Sequence, residues 1–251
     1  MKCVHIQEKN IAGNRLDLIP MGDWHLGSKE CRTDKIDSML KWVKDNPNAR
    51  VILMGDIMNL GTRDSVGGGV FDDDFEPQAQ YELVLEMLEP IKDKIYGYLV
   101  GNHEENRIRA KTSIDLSKNL CRELDIKFCG FSTFFKIKFG KENYTIYATH
   151  GSSGALLPHT KIKAAINLAN YFEAEIYLHG HLHELATHTG LYYKIDMRHA
   201  QAVEHKKFYV LTGSFLDYEN SYAQAKNYGP VKMGCPKIKL YKDKHSIHIS
   251  L

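Results

Sequence analysis

Three apolar runs in the first 102 residues end alike, on a glycine followed by a polar residue. They are "RLDLIPMGD" (Arg15 to Asp23), "RVILMGD" (Arg50 to Asp56) and "IYGYLVGN" (Ile95 to Asn102). Runs that stay apolar instead of alternating belong to strands buried on both faces. Between them lie two stretches of helical periodicity. One is "TDKIDSMLKWVKDN", with Thr33 or Asp34 expected as the N-cap and Ile36, Met39, Leu40 and Val43 on one face. The other is "QAQYELVLEMLEPIKDK". This β-α-β-α-β order predicts parallel strands with helices packed on the sheet. Such sheets gather ligands at the carboxyl ends of their strands, so the polar residue after each run is a candidate site residue.

Beyond Ser113 a helix is expected to about Leu124, followed by strands at "KFCGF", "TFFKIKFG" and "YTIYATHG" and a helix at "KIKAAINLANYF". The strand "EIYLHG" then leads into the strand-rich end "LYYKID", "KFYVLTGSF", "KIKLYK" and "SIHISL". Helices interleave early and strands dominate late. The expected fold is therefore α/β, two packed mixed β-sheets flanked by helices, with residues 1–251 forming a single domain. Lys+Arg 33 against Asp+Glu 31 leaves a net charge of +2, which excludes a global basic field for nucleic acid but not a local patch. The five cysteines are odd in number and form no CxxC pair, which argues against a disulfide framework or a thiolate zinc site. No apolar run reaches the length of a membrane span, and the N-terminus lacks a signal-peptide pattern, so the expected location is the cytosol.

The polar residues that follow the apolar strands form an unusual set. They are Asp23 and His25 in "MGDWHLG", Asp56 in "MGDIMN", Asn102 and His103 in "GNHEEN", His150 in "YATHG", and His181 and His183 in "HGHLH". Each segment carries a glycine beside the polar residue, as tight turns and close backbone approach require. Brought together, they would supply carboxylate, amide and imidazole donors without a thiolate. That set suits Mn²⁺, with iron or Zn²⁺ as alternatives, and is large enough for two ions.

The ordered series D-x-H, GD, GNHE, H-G and G-H-x-H resembles the calcineurin-like metallophosphoesterase superfamily, and it spans Asp23 to His183. The resemblance implies a double β-sandwich with helices outside. It also implies one divalent ion held by Asp23, His25, Asp56 and His183 and a second held by Asp56, Asn102, His150 and His181, with Asp56 shared. His103 would be a catalytic residue outside the ligand set, and a metal-bound hydroxide would attack the phosphorus of a phosphate ester.

This chain departs from the family pattern at two points. Relatives often read GDxxD, where the second carboxylate orients the catalytic histidine; here Asn59 stands in that place, and its amide oxygen is expected to accept the imidazole N–H, or Glu104 or Glu105 to compensate. The phosphoprotein-phosphatase branch follows that aspartate with an arginine, whereas this chain continues with Leu60 and Gly61. Arg63, Arg107 and Arg109, expected on loops, are the candidate substitutes for binding phosphate. The missing arginine argues against a protein phosphatase and leans the reading to a phosphodiester, with nucleic acid as a candidate substrate. A small-molecule phosphomonoesterase is the alternative, and a non-catalytic metal-binding scaffold the more distant one.

The remaining features read more plainly. His5, His245 and His248 are expected at the surface, His179 in a buried strand beside the site, and His159, His188, His199 and His205 in loops or at edges. The Asp72-Asp73-Asp74 run reads as a solvated loop face, with a cation site as the alternative, and Gly67-Gly68-Gly69 as a loop near the site. The segment "YENSYAQAKNYGPVK" mixes Tyr218, Tyr222 and Tyr228 with Lys226 and Lys232, and reads as an aromatic-rich loop or as a stacking surface for single-stranded nucleic acid.

Overall fold

A computed structural model of the chain describes residues 3–65, 71, 73–219 and 221–251. The Gly67-Gly68-Gly69 run and Asp72 lie outside these residues. In one sheet β2 (Arg15–Met21), β3 (Ala49–Leu53), β4 (Ile95–Leu99) and β5 (Phe128–Gly130) run parallel, and β11 (Lys237–Tyr241) and β12 (Ile247–Ser250) continue it antiparallel from β2. The other sheet has the order β1 (Cys3–Glu8), β6 (Ser132–Phe139), β7 (Glu142–Thr149), β8 (Ile176–His179), β10 (Gln201–Thr212) and β9 (Leu185–Asp196). Both sheets are mixed, and they pack face to face as the sequence predicts.

Strand alternation sorts the apolar residues into layers. Along β3, Val51 and Leu53 face helices, where they meet Ile36, Leu40 and Val43 of α1 (Thr33–Asp45) and Val84 and Leu88 of α2 (Pro77–Leu88). Ile52 and Met54 point the other way, into the layer between the sheets, against Ile137, Ile146 and Leu178. The outer face of the second sheet, with Tyr147, Tyr177 and Tyr209, is covered by α5 (Pro158–Leu168) through Ala165. Double-sided burial is why these strands read as unbroken apolar runs.

Several local expectations are corrected. Arg32, not Thr33 or Asp34, occupies the N-cap of α1, because its backbone N–H is already committed to the Phe215 carbonyl (2.9 Å) and its guanidinium reaches forward to Asp34. The second helical stretch ends at Leu88 and continues as a tighter helix over Glu89–Lys94, with Pro90 in its first turn. Arg107 and Arg109 lie in a wide, π-type helix over His103–Arg109, not in a loop; α3 (Ala110–Thr112) follows it and α4 (Leu116–Glu123) comes next. His159 sits in the first turn of α5, not in a loop. A short α6 (Tyr222–Ala225) interrupts the aromatic segment, where the Tyr218 hydroxyl bonds the Tyr228 carbonyl and Lys232 bonds the carbonyl of Leu251. Among the described residues, no helix is long and apolar enough to cross a membrane.

Candidate metal centre

The carboxyl ends of β2, β3, β4, β7 and β8 deliver the polar residues to one edge of the sandwich. Asp23, His25, Asp56 and His150 are buried and form its floor, while Asn102, His103, His181 and His183 are half-buried around it. Five of the eight have left-handed backbone: Asp23 (φ 50), His25 (φ 50), Asp56 (φ 49), His181 (φ 67) and His183 (φ 52). Non-glycine residues adopt this region uncommonly, at a cost of order 1–3 kcal/mol each, and hold it only where the surroundings over-determine it. Here they do. The N–H of Asp23 bonds the Gly55 carbonyl (2.9 Å), that of His25 the Asp56 carbonyl (3.0 Å), and that of His181 the Asp23 carboxylate (3.0 Å).

The glycines serve the same convergence. Gly55 takes φ 89, and a Cβ on Gly101 would stand 2.1 Å from the Asp56 carboxylate, so the third strand end can approach the second only without a side chain there.

Among the described residues, three overlapping groups each bring their ligand atoms within 4.8 Å of one another: Asp23, His25 and His183; Asp56, His150 and His181; and His25, Asp56 and His103. In the first, His183 Nε2 lies 3.0 Å from His25 Nε2 and 3.4 Å from Asp23 Oδ1. In the second, His150 Nε2 lies 3.3 Å from Asp56 Oδ2, and Asn102 Oδ1 lies 3.1 Å from His150 Nε2 and 2.7 Å from His181 Nδ1. Asp56 Oδ2 also stands 3.9 Å from His25 Nε2, which ties the groups together. Bonds of about 2.1 Å to a central cation give ligand–ligand edges of about 3.0 Å (octahedral) to 3.4 Å (tetrahedral). The donors present therefore fit cations, in both spacing and chemistry.

Electrostatics push the same way at His25, His181 and Asp56, and against it at His150. Burial, reinforced by His103 and His183, holds His25 well below its usual pKa, and burial with His150 lowers His181. Both present neutral imidazoles with lone pairs free for a metal. Burial opposes the charge on Asp56, yet His103, His150 and His25 together hold it well below the usual carboxylate range. Burial likewise opposes a charge on His150, but Asp56 and Asp23 outweigh it and raise the imidazole to about 10.

The surroundings of His103 differ from expectation. Its Nδ1 lies 2.9 Å from the backbone carbonyl of Asn59, so the main chain, not the side-chain amide, accepts the imidazole N–H and turns Nε2 towards Asp56, 3.8 Å away. The Asn59 amide points elsewhere and donates to Asp73 (2.5 Å). Asp73 also accepts from Gly61 N–H and from Gln80, each at 2.8 Å. It is thus turned inward, against the expectation of a solvated run; Asp74 alone remains exposed among the described members. Neither glutamate compensates at His103. Buried Glu104 accepts the backbone N–H of Asp56, Ile57 and Gly101 and the Tyr98 hydroxyl, while Glu105 pairs with Arg109. Burial and the Asp56 carboxylate push Glu104 up to about 7, against the pull of His150 and its backbone donors.

Of the three arginines, only Arg107 comes to the site: its guanidinium donates to the Asn59 carbonyl (2.7 Å) and amide oxygen (3.3 Å). Arg63 is exposed on the turn at 63–65, and Arg109 is bound to Glu105 and Asp115. His179 is buried beside the site with its Nδ1 on the Gly180 carbonyl, as expected of a supporting residue. His5, His245 and His248 are exposed, and His245 is held between Glu142 and Glu175. Asp73 and Glu104 hold roles the sequence does not assign them: Glu104 is named there only as a possible partner of His103, and Asp73 only as one of an acidic run.

Residues 20–185 match the family model for calcineurin-like phosphoesterases. No curated protein matches the chain at a significant level. Among solved structures it is similar to a conserved protein of Streptococcus pneumoniae TIGR4 described as a predicted phosphoesterase, at 13% identity over 94% of this chain and 95% of that one, with a TM-score of 0.39. It is likewise similar to Vps29 of Chaetomium thermophilum, at 13% identity over 94% and 96% of the two chains, with a TM-score of 0.40.

Proposed function

From the premise that this chain belongs to the calcineurin-like phosphoesterase family, we propose that it hydrolyses a phosphodiester at a pair of divalent cations. Asp23, His25, Asp56 and His183 would hold one ion and Asp56, Asn102, His150 and His181 the other, with manganese the first choice and iron or zinc the alternatives. The observation that carries this reading is the convergence of the two donor groups on one edge with Asp56 between them. Bound there, the cations would acidify water and screen the charge of the phosphate.

The chain's own residues supply the rest. The Asp56 carboxylate accepts the His103 N–H (2.8 Å) and so fixes where that residue sits. With its Nδ1–H committed to the Asn59 carbonyl and burial holding the ring down at about 4, His103 turns an unprotonated Nε2 to the site, placed to take the proton of the attacking water and return it to the leaving oxygen. A phosphomonoester dianion asks for more positive charge than a diester monoanion. Of the three candidate arginines Arg107 alone reaches the site, and its Nη1 is already committed to Asn59, so less of the guanidinium is open to a dianion, which supports the diester.

The test is hydrolysis, with Mn²⁺, of bis(p-nitrophenyl) phosphate against p-nitrophenyl phosphate and single-stranded DNA. Faster turnover of a diester is expected. Turnover of the monoester alone would defeat the reading, and metal-loaded protein inert on all three would favour a scaffold. His103→Asn should lose turnover yet keep its metal; loss of metal would instead make His103 a ligand, as its grouping with His25 and Asp56 allows.

A further inference from the structure

Phe131 lies where the chain passes from one sheet to the other, between the end of β5 and the start of β6. Its backbone is held from two sides. The Gly130 carbonyl accepts the Val100 N–H (2.9 Å), two residues before Asn102. The Phe131 carbonyl accepts the His150 N–H (3.4 Å) and the Thr149 hydroxyl (3.2 Å). Phe131 is thus fixed between the segments that carry Asn102 and His150, both placed on the same ion in the reading above.

The ladder sets where its side chain stands. β6 pairs with β7 so that Ser132 is opposite Thr149, and one step further puts Phe131 opposite His150. Opposed residues share a face, with Cβ atoms about 5 Å apart. That face carries Phe135 and Ile137 of β6 and Ile146 and Ala148 of β7, and it looks into the layer between the sheets. His150 and Phe131 therefore close this layer at the edge where the donors gather. They do so differently, since His150 is 2% exposed and Phe131 58%. The exposure has neighbours in the fold. β7 ends at this edge, so the crossover to the parallel β8 begins there, and it brings Leu156 and Leu157, 58% and 57% exposed, just before α5. The segment after β3 is polar instead, with Asn59 held by Asp73 and Arg107. One flank of the site suits charge and the other an uncharged organic group.

A phosphodiester has two ester arms. His103, which returns the proton to the leaving oxygen, is grouped with His25 and Asp56, whereas Phe131 stands beside His150. The arm that meets Phe131 is then the one that stays on phosphorus. We propose that Phe131 determines specificity by stacking on a flat ring in that retained arm, such as a nucleobase or an aryl group carries. A phenyl offers a π-face as well as apolar area, and a flat ring gains from both where an aliphatic arm gains only from the area. The inference rests on the diester reading above and names the class of alcohol it would take.

Calorimetric binding to the full chain loaded with Mn²⁺ tests it without turnover. The ligands are methylphosphonate, phenylphosphonate and thymidine 5′-monophosphate, and the proteins are wild type, Phe131→Ala and Phe131→Leu. In wild type a ring should raise affinity over methylphosphonate by roughly 5- to 150-fold, and whichever ring-bearing ligand leads names the source of the ring. Phe131→Ala should bind all three alike with its metal content unchanged, and Phe131→Leu should lose most of the preference. Equal affinities in wild type overturn the proposal, as does a preference that survives in Phe131→Ala or stays whole in Phe131→Leu. Loss of metal from Phe131→Ala overturns it too, because the residue would then be a support for His150. A ring preference in a protein that turns over no diester defeats the reaction reading and leaves this one standing, whereas diester turnover without a ring preference defeats this one alone.

Discussion

Replacing Glu104 by glutamine should destabilise the protein by about 2–6 kcal/mol, although Glu104 is expected to touch neither metal nor substrate. The magnitude follows from its donors. Oε1 accepts from the Ile57 N–H (2.9 Å) and the Tyr98 hydroxyl (3.0 Å), with the Met58 N–H at 3.4 Å, and Oε2 accepts from the N–H groups of Asp56 and Gly101, both at 3.1 Å. Glutamine keeps the shape but converts one oxygen to NH₂, so at least two buried donors face another donor. Each buried donor left unpaired costs about 1–3 kcal/mol. Alanine would strand all of them and open a void, a loss comparable to the stability of a whole domain. The assay is urea unfolding of metal-free protein, read as a lower midpoint at unchanged slope. Metal affinity should fall with it, because Glu104 holds the turn that presents Asp56. A Glu104→Gln protein within about 0.5 kcal/mol of wild type would refute the reasoning.

Two further perturbations probe the same region. Asp73→Asn removes the charge that fixes the Asn59 amide, and so loosens the carbonyl that orients His103; kcat should fall about tenfold, the worth of one hydrogen bond, with metal content unchanged, and an unaltered kcat would sever that chain of contacts. His150, raised to about 10 by Asp56 and Asp23 when no metal is bound, carries a proton at pH 7.5 that a metal must displace. Calorimetric titration of metal in buffers of different ionisation enthalpy should show about one proton released per chain, and affinity should rise with pH; no release would contradict the charged His150–Asp56 pair. The sign for folding is fixed too: the stability this pair gives the metal-free protein is present in full below the unfolded histidine value of about 6.5 and is lost as pH rises through about 10.

What could be read in the sequence was what strand burial dictates. Unbroken apolar runs closing on Gly-Asp or Gly-Asn have one sensible place, between helices and a second sheet, and their ends must gather on one edge; Asp23, Asp56 and Asn102 followed from that. What escaped depended on contacts between segments far apart in the chain. Asp73 looked like one of three solvated carboxylates, yet its segment returns to bridge Ser28 and accept from Asn59, a closure that no local pattern announces. Asn59 was legible as a departure from a carboxylate, but not that its main chain would serve while its side chain turned away. The wide helix over His103–Arg109 gave no periodic signal, and the apolar alternation of β9 read as an ordinary strand although its hairpin with β10 outruns the neighbouring β8.

Asp56 is proposed to stand between two cations. Metal analysis of protein loaded with Mn²⁺ and freed of excess tests it most directly, on wild type beside Asp56→Asn. About two ions per chain, falling below one when the shared carboxylate is neutralised, is the result the geometry requires. Wild type that retains no divalent ion, or Asp56→Asn that still retains two, would contradict it.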